Sequence, residues 1–480
     1  MNQSLVPPLH RRYACSFFLA FCLLQSAGYT YASQDLITVQ QKAEQGDASA
    51  QYNLGVSYAN GEGGVQDSQQ AVAWFRKAAE QGLAAAQYSL GLSYSMGKGV
   101  AQDSQQAVAW YRKAAEQGFS AAQYNLGLSY ANGEGVAQDF KQAVAWYRKA
   151  AEQGYAGGQS DLGVSYANGE GVAQDSQQAV FWFRKAAEQG LAVAQYNLGV
   201  RYARGEGRAQ DFKQAVVWYR KAAVQDYAAA QFNLGLSYDQ GEGVTQDSTQ
   251  AVAWYRKAAE QGDAAAQSNL GLSYATGKGI AQDFKQAVAW FRKAAEQGDA
   301  GSQFHLGLSY ANGEGVAQDF KQAVAWFRKA AEQNYAAAQN NLGVSYTMGT
   351  GVAQDTTQAV SWYRKAAEQG LAVAQYSLGL SYSKGKGVTQ DAKQAVSWYR
   401  KAAEQGNAIA QSNLGVMYFQ GEGVPQDNSQ AYVWLSVAVA NGSSHSTDLR
   451  NSVAGKLSQS QLAAMQRLAG LYFEKYQPHH

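Results

Sequence analysis

The chain is predicted to fold as an all-α solenoid of stacked, antiparallel helix pairs. Two observations carry that expectation. Tryptophan recurs every 36 residues, at Trp74, Trp110, Trp146, Trp182, Trp218, Trp254, Trp290, Trp326, Trp362, Trp398 and Trp434, and these are all 11 tryptophans of the 480 residues. A fixed period of roughly 20–50 residues marks an array of stacked repeats. Within each period two helix-like patterns alternate with glycine-rich turns.

Cut at Asp47, residues 47–442 divide into eleven repeats without insertion or deletion (47–82, 83–118, 119–154, 155–190, 191–226, 227–262, 263–298, 299–334, 335–370, 371–406 and 407–442). The repeats differ mostly by single substitutions, so one interface between neighbours must serve throughout. Residues 33–46 read as a worn second helix, with Leu36, Val39 and Ala43 on one face and Thr38 at the tryptophan position. That segment is expected to cap the first repeat.

In the first half of a repeat, Leu54, Gly55 and Tyr58 share a helical face. A glycine inside a helix costs about 1 kcal/mol against alanine, so Gly55 and its equivalents imply close approach of a neighbouring helix. Asn60-Gly61-Glu62-Gly63 then supplies a turn with two residues free to adopt positive φ. In the second half, Ala71, Trp74, Phe75 and Ala78 fall at i, i+3, i+4 and i+7, one helical face. This periodicity places the whole tryptophan series in the core. Asp67, followed by Gln70, resembles a capping box, and Arg76 with Glu80 reads as an exposed i,i+4 pair. Gly82 closes the helix; its equivalents are glycine except at Asp226 and Asn334, the residue types that best tolerate a left-handed C′ position. Residues 443–480 leave the repeat. There Ser458 and Gln461 form a capping box ahead of Leu462, Met465, Ala469 and Tyr472, a polar-backed helical cap for the other end.

Leu54-Gly55-x-x-Tyr58 and Ala71-x-x-Trp74-x-x-x-Ala78-Ala79 resemble tetratricopeptide repeats. The 36-residue period, the Gly61-x-Gly63 loop and the ending Lys77-Ala78-Ala79-Glu80-Gln81-Gly82 resemble more particularly the Sel1-like repeat family. The resemblance implies a right-handed α/α superhelix whose first helices line a concave groove. By position, the groove residues of the first repeat are Ser49, Tyr52, Asn53, Val56 and Asn60. The Tyr52 row changes to Ser160, Phe232 and Phe304 among others, the Asn60 row to Arg204, and the Asn53 row stays mostly amide, with Asp161 and His305 as departures.

The segment 1–32 reads as a secretory signal, with Arg11 and Arg12 ahead of an apolar Tyr13–Leu24 too short for a good membrane span. Cleavage after Ala32 or after Gly28, or retention as an anchor, stays open, and membrane contact is expected only if the segment is retained. The expected location is periplasmic or secreted. Cys15 and Cys22, the chain's 2 cysteines, both lie in that segment, so the remainder holds no disulfide, thiolate metal ligand or cysteine nucleophile. The formal net charge is +2, and both arginines of the signal count toward it. A balance near zero argues against nucleic acid.

No cofactor or metal is expected. Glu62 with Asp67 lacks the alternating oxygen ligands of a calcium loop, and lysine replaces Glu62 at Lys98, Lys278 and Lys386. Gly61-x-Gly63 lacks the strand before and the lysine after that a phosphate loop needs. No serine, histidine and acid recur together, so no catalytic residue is assigned. Catalysis needs unlike groups converging on a point, whereas this chain spreads like groups along a line. The expected function is therefore a non-catalytic scaffold holding a protein or peptide in the groove. Its candidate contacts are Asn125, Asn197, Asn233, Asn269, Arg204, Phe232, Phe304 and His305. Amides at regular steps suit an extended peptide backbone, although hydrogen bonds within the array would explain them equally. The alternative of a different class is an envelope polysaccharide- or peptidoglycan-binding factor, or a hydrolase-like enzyme, using groove aromatics.

Overall fold

A computed structural model describes residues 33–62 and 65–477. The expected signal segment, residues 1–32, lies outside them. Every regular element among the described residues is a helix, and the chain is an α/α solenoid. It divides into two compact units. One ends at Ala230 and includes Glu242–Thr245, and the other comprises Gln231–Gly241 and Gln246–His480.

The first unit opens with the helix Ser33–Glu44, which packs Leu36, Val39 and Ala43 against Ala50 and Leu54. Helix pairs follow, the first being Ala48–Asn60 and Ser68–Glu80. Each second helix starts at an aspartate: Asp67 accepts from the backbone N–H groups of Gln69 and Gln70 at 2.9 and 3.0 Å. That satisfies two of the donors a helix start leaves open. The reciprocal glutamine bond of a full capping box forms at Ser458–Gln461, in the C-terminal helix Gln459–Lys475. The second helices end as expected, with positive φ at Gly82 and also at Asp226 (60°) and Asn334 (62°).

Two glycines set the packing distances. A Cβ on Gly55 would stand 2.6 Å from the Phe75 ring, so the residue that demands the gap is the aromatic after the tryptophan. In the loop, a Cβ on Gly99 would stand 1.9 Å from the Ser68 carbonyl oxygen of the preceding repeat, and its φ is +72°. The loop thus seats directly on its neighbour's second helix.

Neighbouring repeats are also tied by two polar bonds that recur along each unit. Buried Gln87 donates to the Ala79 carbonyl at 3.2 Å, at the end of the preceding second helix, and accepts from Gln117 at 2.7 Å. The pair closes one helix end and satisfies itself, as a buried amide must. Arg76 donates to the Tyr94 hydroxyl of the next repeat at 3.0 Å, in place of the expected pairing with Glu80. The second unit repeats both bonds, for example Gln303 to Ala295 (3.1 Å), Gln333 to Gln303 (2.8 Å) and Arg292 to Tyr310 (2.9 Å).

The tryptophans correct the sequence reading. Trp218 and Trp434 are buried, at 9% and 4% exposure, but the other nine are half-buried. Trp326, for example, packs against a buried cluster formed by Leu306 of its own repeat and Ala287, Val288, Phe291 and Ala295 of the preceding one. Its outer side is covered by Lys329, whose Nζ is 4.0 Å from the ring centroid. The deep aromatic is the next residue, Phe327, 4% exposed. The apolar stripe spans both positions, and only the position facing the helical glycine is sealed on all sides. Phe327→Ala is expected to cost about 3–5 kcal/mol, the range for a sealed aromatic, and Trp326→Ala about 1–3 kcal/mol, because its outer face already meets a cation. Urea midpoints of the two variants check the order, and equal midpoints would restore the tryptophan to the core.

The second unit ends on the helix pair Ala408–Gln420 and Asn428–Ala440, followed by Thr447–Ala454 and Gln459–Lys475. Here Val437 stands where other repeats carry the covering lysine, and Tyr476 and Tyr472 take its place. Their ring centroids lie 5.6 and 5.2 Å from that of Trp434. The Tyr476 carbonyl accepts from Gln411 at 3.4 Å and Asn441 at 3.3 Å, ending the amide ladder.

Candidate functional site

The candidate face is the stripe of each first helix at the positions of Ser49, Tyr52, Asn53, Val56 and Asn60. Ser49 and Asn60 are exposed, whereas Tyr52, Asn53 and Val56 are half-buried. The spacing i, i+3, i+4, i+7 and i+11 keeps them on one side of the helix, but the inner members turn into the seam between repeats.

The aromatic row is packed ring on ring. Phe304 meets Phe327 of its own repeat at 5.9 Å and Tyr335 of the next at 5.3 Å. Phe232 meets Tyr255 at 5.9 Å, and Tyr124 meets Tyr147 at 6.0 Å and Tyr155 at 5.2 Å. Offset pairs at these distances stabilise the array itself. Burial raises the hydroxyl pKa of Tyr124 and of Tyr255.

Two members of the amide row, Asn125 and His305, face the preceding repeat. Asn125 is 6% exposed and is the polar neighbour of Tyr88 and Tyr111, both of the repeat before it. His305 stacks on Phe291 of the preceding repeat, centroids 5.1 Å apart and planes 17° from parallel; burial lowers its pKa. The Asn197 Nδ2 is shut away from solvent. Asn269 turns back to the Ala265 carbonyl of its own helix at 3.0 Å, and the Asn233 carbonyl accepts from Ser237 at 3.0 Å. Asn125 and His305 thus turn into the seam between repeats, while Asn233 and Asn269 stay half-buried on their own helices.

Arg204 is exposed and 3.6 Å from Glu206. It belongs to a group that the sequence reading did not assemble: Arg201 also pairs with Glu206, and the Arg208 guanidinium lies 3.4 Å from the Tyr202 ring centroid. The signal lay in three departures within one repeat, where serine, asparagine and valine are the usual residues.

No group of three or more histidine, cysteine, aspartate or glutamate residues that could hold a metal occurs among the described residues. No helix among them is long and apolar enough to cross a membrane.

Comparison with known proteins agrees with this architecture. The Sel1 repeat pattern matches eleven times in succession, from 48–83 and 84–119 through to 408–443, one residue later than the cut at Asp47. The crystal structure of c5321, described as a protective antigen present in uropathogenic Escherichia coli strains displaying an SLR fold, is 43% identical. It covers 92% of this chain and 95% of its own, with a TM-score of 0.85. A Sel1 repeat protein from Oxalobacter formigenes is 36% identical over 67% of this chain and 92% of its own, with a TM-score of 0.50. No curated protein matches. Sel1 and tetratricopeptide-like solenoids commonly serve as protein-interaction scaffolds and are generally non-catalytic. The unbroken run of eleven matches places this chain in the Sel1 repeat family.

Proposed function

We propose that the protein is an exported, non-catalytic scaffold that holds a peptide segment or an envelope protein against its first helices. The observation that carries this reading lies in the second unit. Val344, Met348, Val373 and Ile409 are 43%, 70%, 43% and 56% exposed on the first helices of three consecutive repeats. Single exposed apolar residues are ordinary, but these occupy the stripe positions of Ser49, Val56 and Asn60 in adjacent repeats. Apolar groups recurring on one face suit a protein partner. The packed state of the aromatic row speaks against carbohydrate stacking on it, so the polysaccharide reading finds no support of its own. The signal-like residues 1–32 support export, and the Escherichia coli relative's description as a protective antigen is consistent with it.

The test is cross-linking with mass spectrometry in the native envelope, comparing the wild type with Val344→Ser, Met348→Ser and Ile409→Ser combined. Each lost apolar contact is worth about 1 kcal/mol or more, so capture of the cross-linked partner should fall at least roughly tenfold while the helical signal is unchanged. Undiminished capture by the folded variant would remove this face from the reading.

A further inference from the structure

The fourth repeat departs from its neighbours in a cluster. Where the first repeat has Ala48-Ser49-Ala50-Gln51-Tyr52-Asn53, it reads Ala156-Gly157-Gly158-Gln159-Ser160-Asp161. Ser160, 2% exposed, replaces an aromatic ring. Asp161 places a carboxyl group where Asn125 and Asn197 stand one repeat either side. An added Cβ on Gly158 would meet Ala150 Cβ at 2.8 Å, so the helix sits close to its predecessor there, and one on Gly157 would meet the Tyr155 ring at 3.0 Å.

Beside Asp161, between the third and fourth repeats, the first unit holds a cavity of about 240 Å³. Its walls include Leu128, Phe140, Tyr147 and Val164, and Glu170 contributes a second carboxylate. The volume is below the roughly 300–1,000 Å³ of small-molecule pockets and suits one long side chain. Apolar walls would line its stem, and acids would meet its charge. The Asp161 Oδ2 is shut off from solvent with no hydrogen-bond partner among the described residues. With the Tyr124 hydroxyl as its neighbouring donor, an ionised carboxylate so deeply buried is still costly unless a cation also reaches it.

We propose that this slot receives an arginine or lysine side chain of the bound protein, with Asp161 as its counter-charge. The inference rests on the scaffold reading above. The titratable groups facing Asp161 are Tyr124, Tyr147, Tyr155 and Glu170, and neither a tyrosine nor a glutamate side chain can carry positive charge, so none competes as a cation. Burial pushes the Asp161 carboxyl up to about 7, against a smaller opposing pull from the Tyr124 hydroxyl. A cation must therefore displace a proton below that pH, and binding should tighten as the pH rises through it.

Ligand-observed NMR titration of the full chain tests this with three capped pentapeptides, glycine on either side of a central arginine, lysine or citrulline. The wild type should bind at least one of the two cationic peptides and bind citrulline at least tenfold more weakly. Asp161→Asn, which restores the residue of the adjacent repeats, should weaken cationic binding at least tenfold with an unchanged circular dichroism spectrum. Equal binding of citrulline, or equal binding by Asp161→Asn, would overturn the proposal. So would calcium uptake abolished by Asp161→Asn without any peptide binding, which would make the slot a metal site. If Asp161→Asn retains full partner capture in the envelope and its peptide titration matches the wild type, the slot is refuted and the scaffold reading stands. Loss of capture in the Val344, Met348 and Ile409 variant is independent of either result.

Discussion

Deleting residues 335–370, one whole repeat, should leave a folded protein with a melting temperature within a few degrees of the wild type. Deleting residues 335–352 alone should destroy cooperative folding of the second unit. The reason lies in what each cut does to the interface between repeats. After the 36-residue deletion every contact has a ready substitute. Gly387, now seated on the Thr356 carbonyl, would meet that of Phe320, as Gly351 does in the intact chain. Tyr382, which accepts from Arg364, would accept from Arg328, now paired with Tyr346. Gln375, which donates to Ala367, would donate to Ala331, the present acceptor of Gln339. Nearest-neighbour coupling makes stability depend on repeat number more than on which repeat is present.

The 18-residue deletion removes the helix Ala336–Met348 and keeps its partner Thr356–Glu368. Val360 and Tyr363, at 4% and 6% exposure, lose the helix they pack on. Two such side chains are worth about 1.5–3 kcal/mol each, and the amide bond from Gln369 to Gln339 at 2.7 Å is lost as well. Thermal melts followed by tryptophan fluorescence distinguish the outcomes, and matched cooperative transitions for both deletions would disprove the register.

That register was the part most legible in the sequence, because stacking copies requires the same residue at the same step. Asp226 and Asn334 show how far it reached: two departures from glycine already specified positive φ, and both have it. Depth was less legible. Helical periodicity assigns Trp326 and Phe327 to one apolar face, and only the Gly307 contact, 2.6 Å from a built Cβ to the Phe327 ring, decides which is sealed. The Gln87–Gln117 bond was present as two recurring glutamines 30 residues apart. A polar residue that hardly varies reads as exposed until its partner is seen. The depth of the amide row was hidden for a related reason. Asn125 and His305 belong to a face that the resemblance makes a groove, yet each meets an aromatic of the preceding repeat, and that contact depends on how repeats lean together.

Asp161→Asn should stabilise the first unit in a pH-dependent manner, by about 4–5 kcal/mol at pH 8 and by almost nothing at pH 4. The folded carboxyl holds its proton up to about 7 because it is buried, against a usual value of 3.8. Between those two values the folded state binds the proton and the unfolded chain does not. Stability therefore falls as the pH rises through that window, and the loss is complete above about 7. Its size follows from the width of the window, at about 1.4 kcal/mol for each pH unit crossed. Asparagine does not titrate, so the variant escapes this loss, and the other carboxylates, common to both proteins, cancel in the difference. Urea midpoints for the two proteins at pH 4, 6 and 8 provide the measurement; a stabilisation independent of pH would show that Asp161 is ionised in the folded state throughout. The experiment also bears on the slot. A saturating arginine or lysine peptide should favour the ionised carboxylate and flatten the wild-type pH dependence toward that of the variant. Binding that lowered this cost would give the fourth repeat a physical reason to keep an acid where Asn125 and Asn197 show that an amide fits.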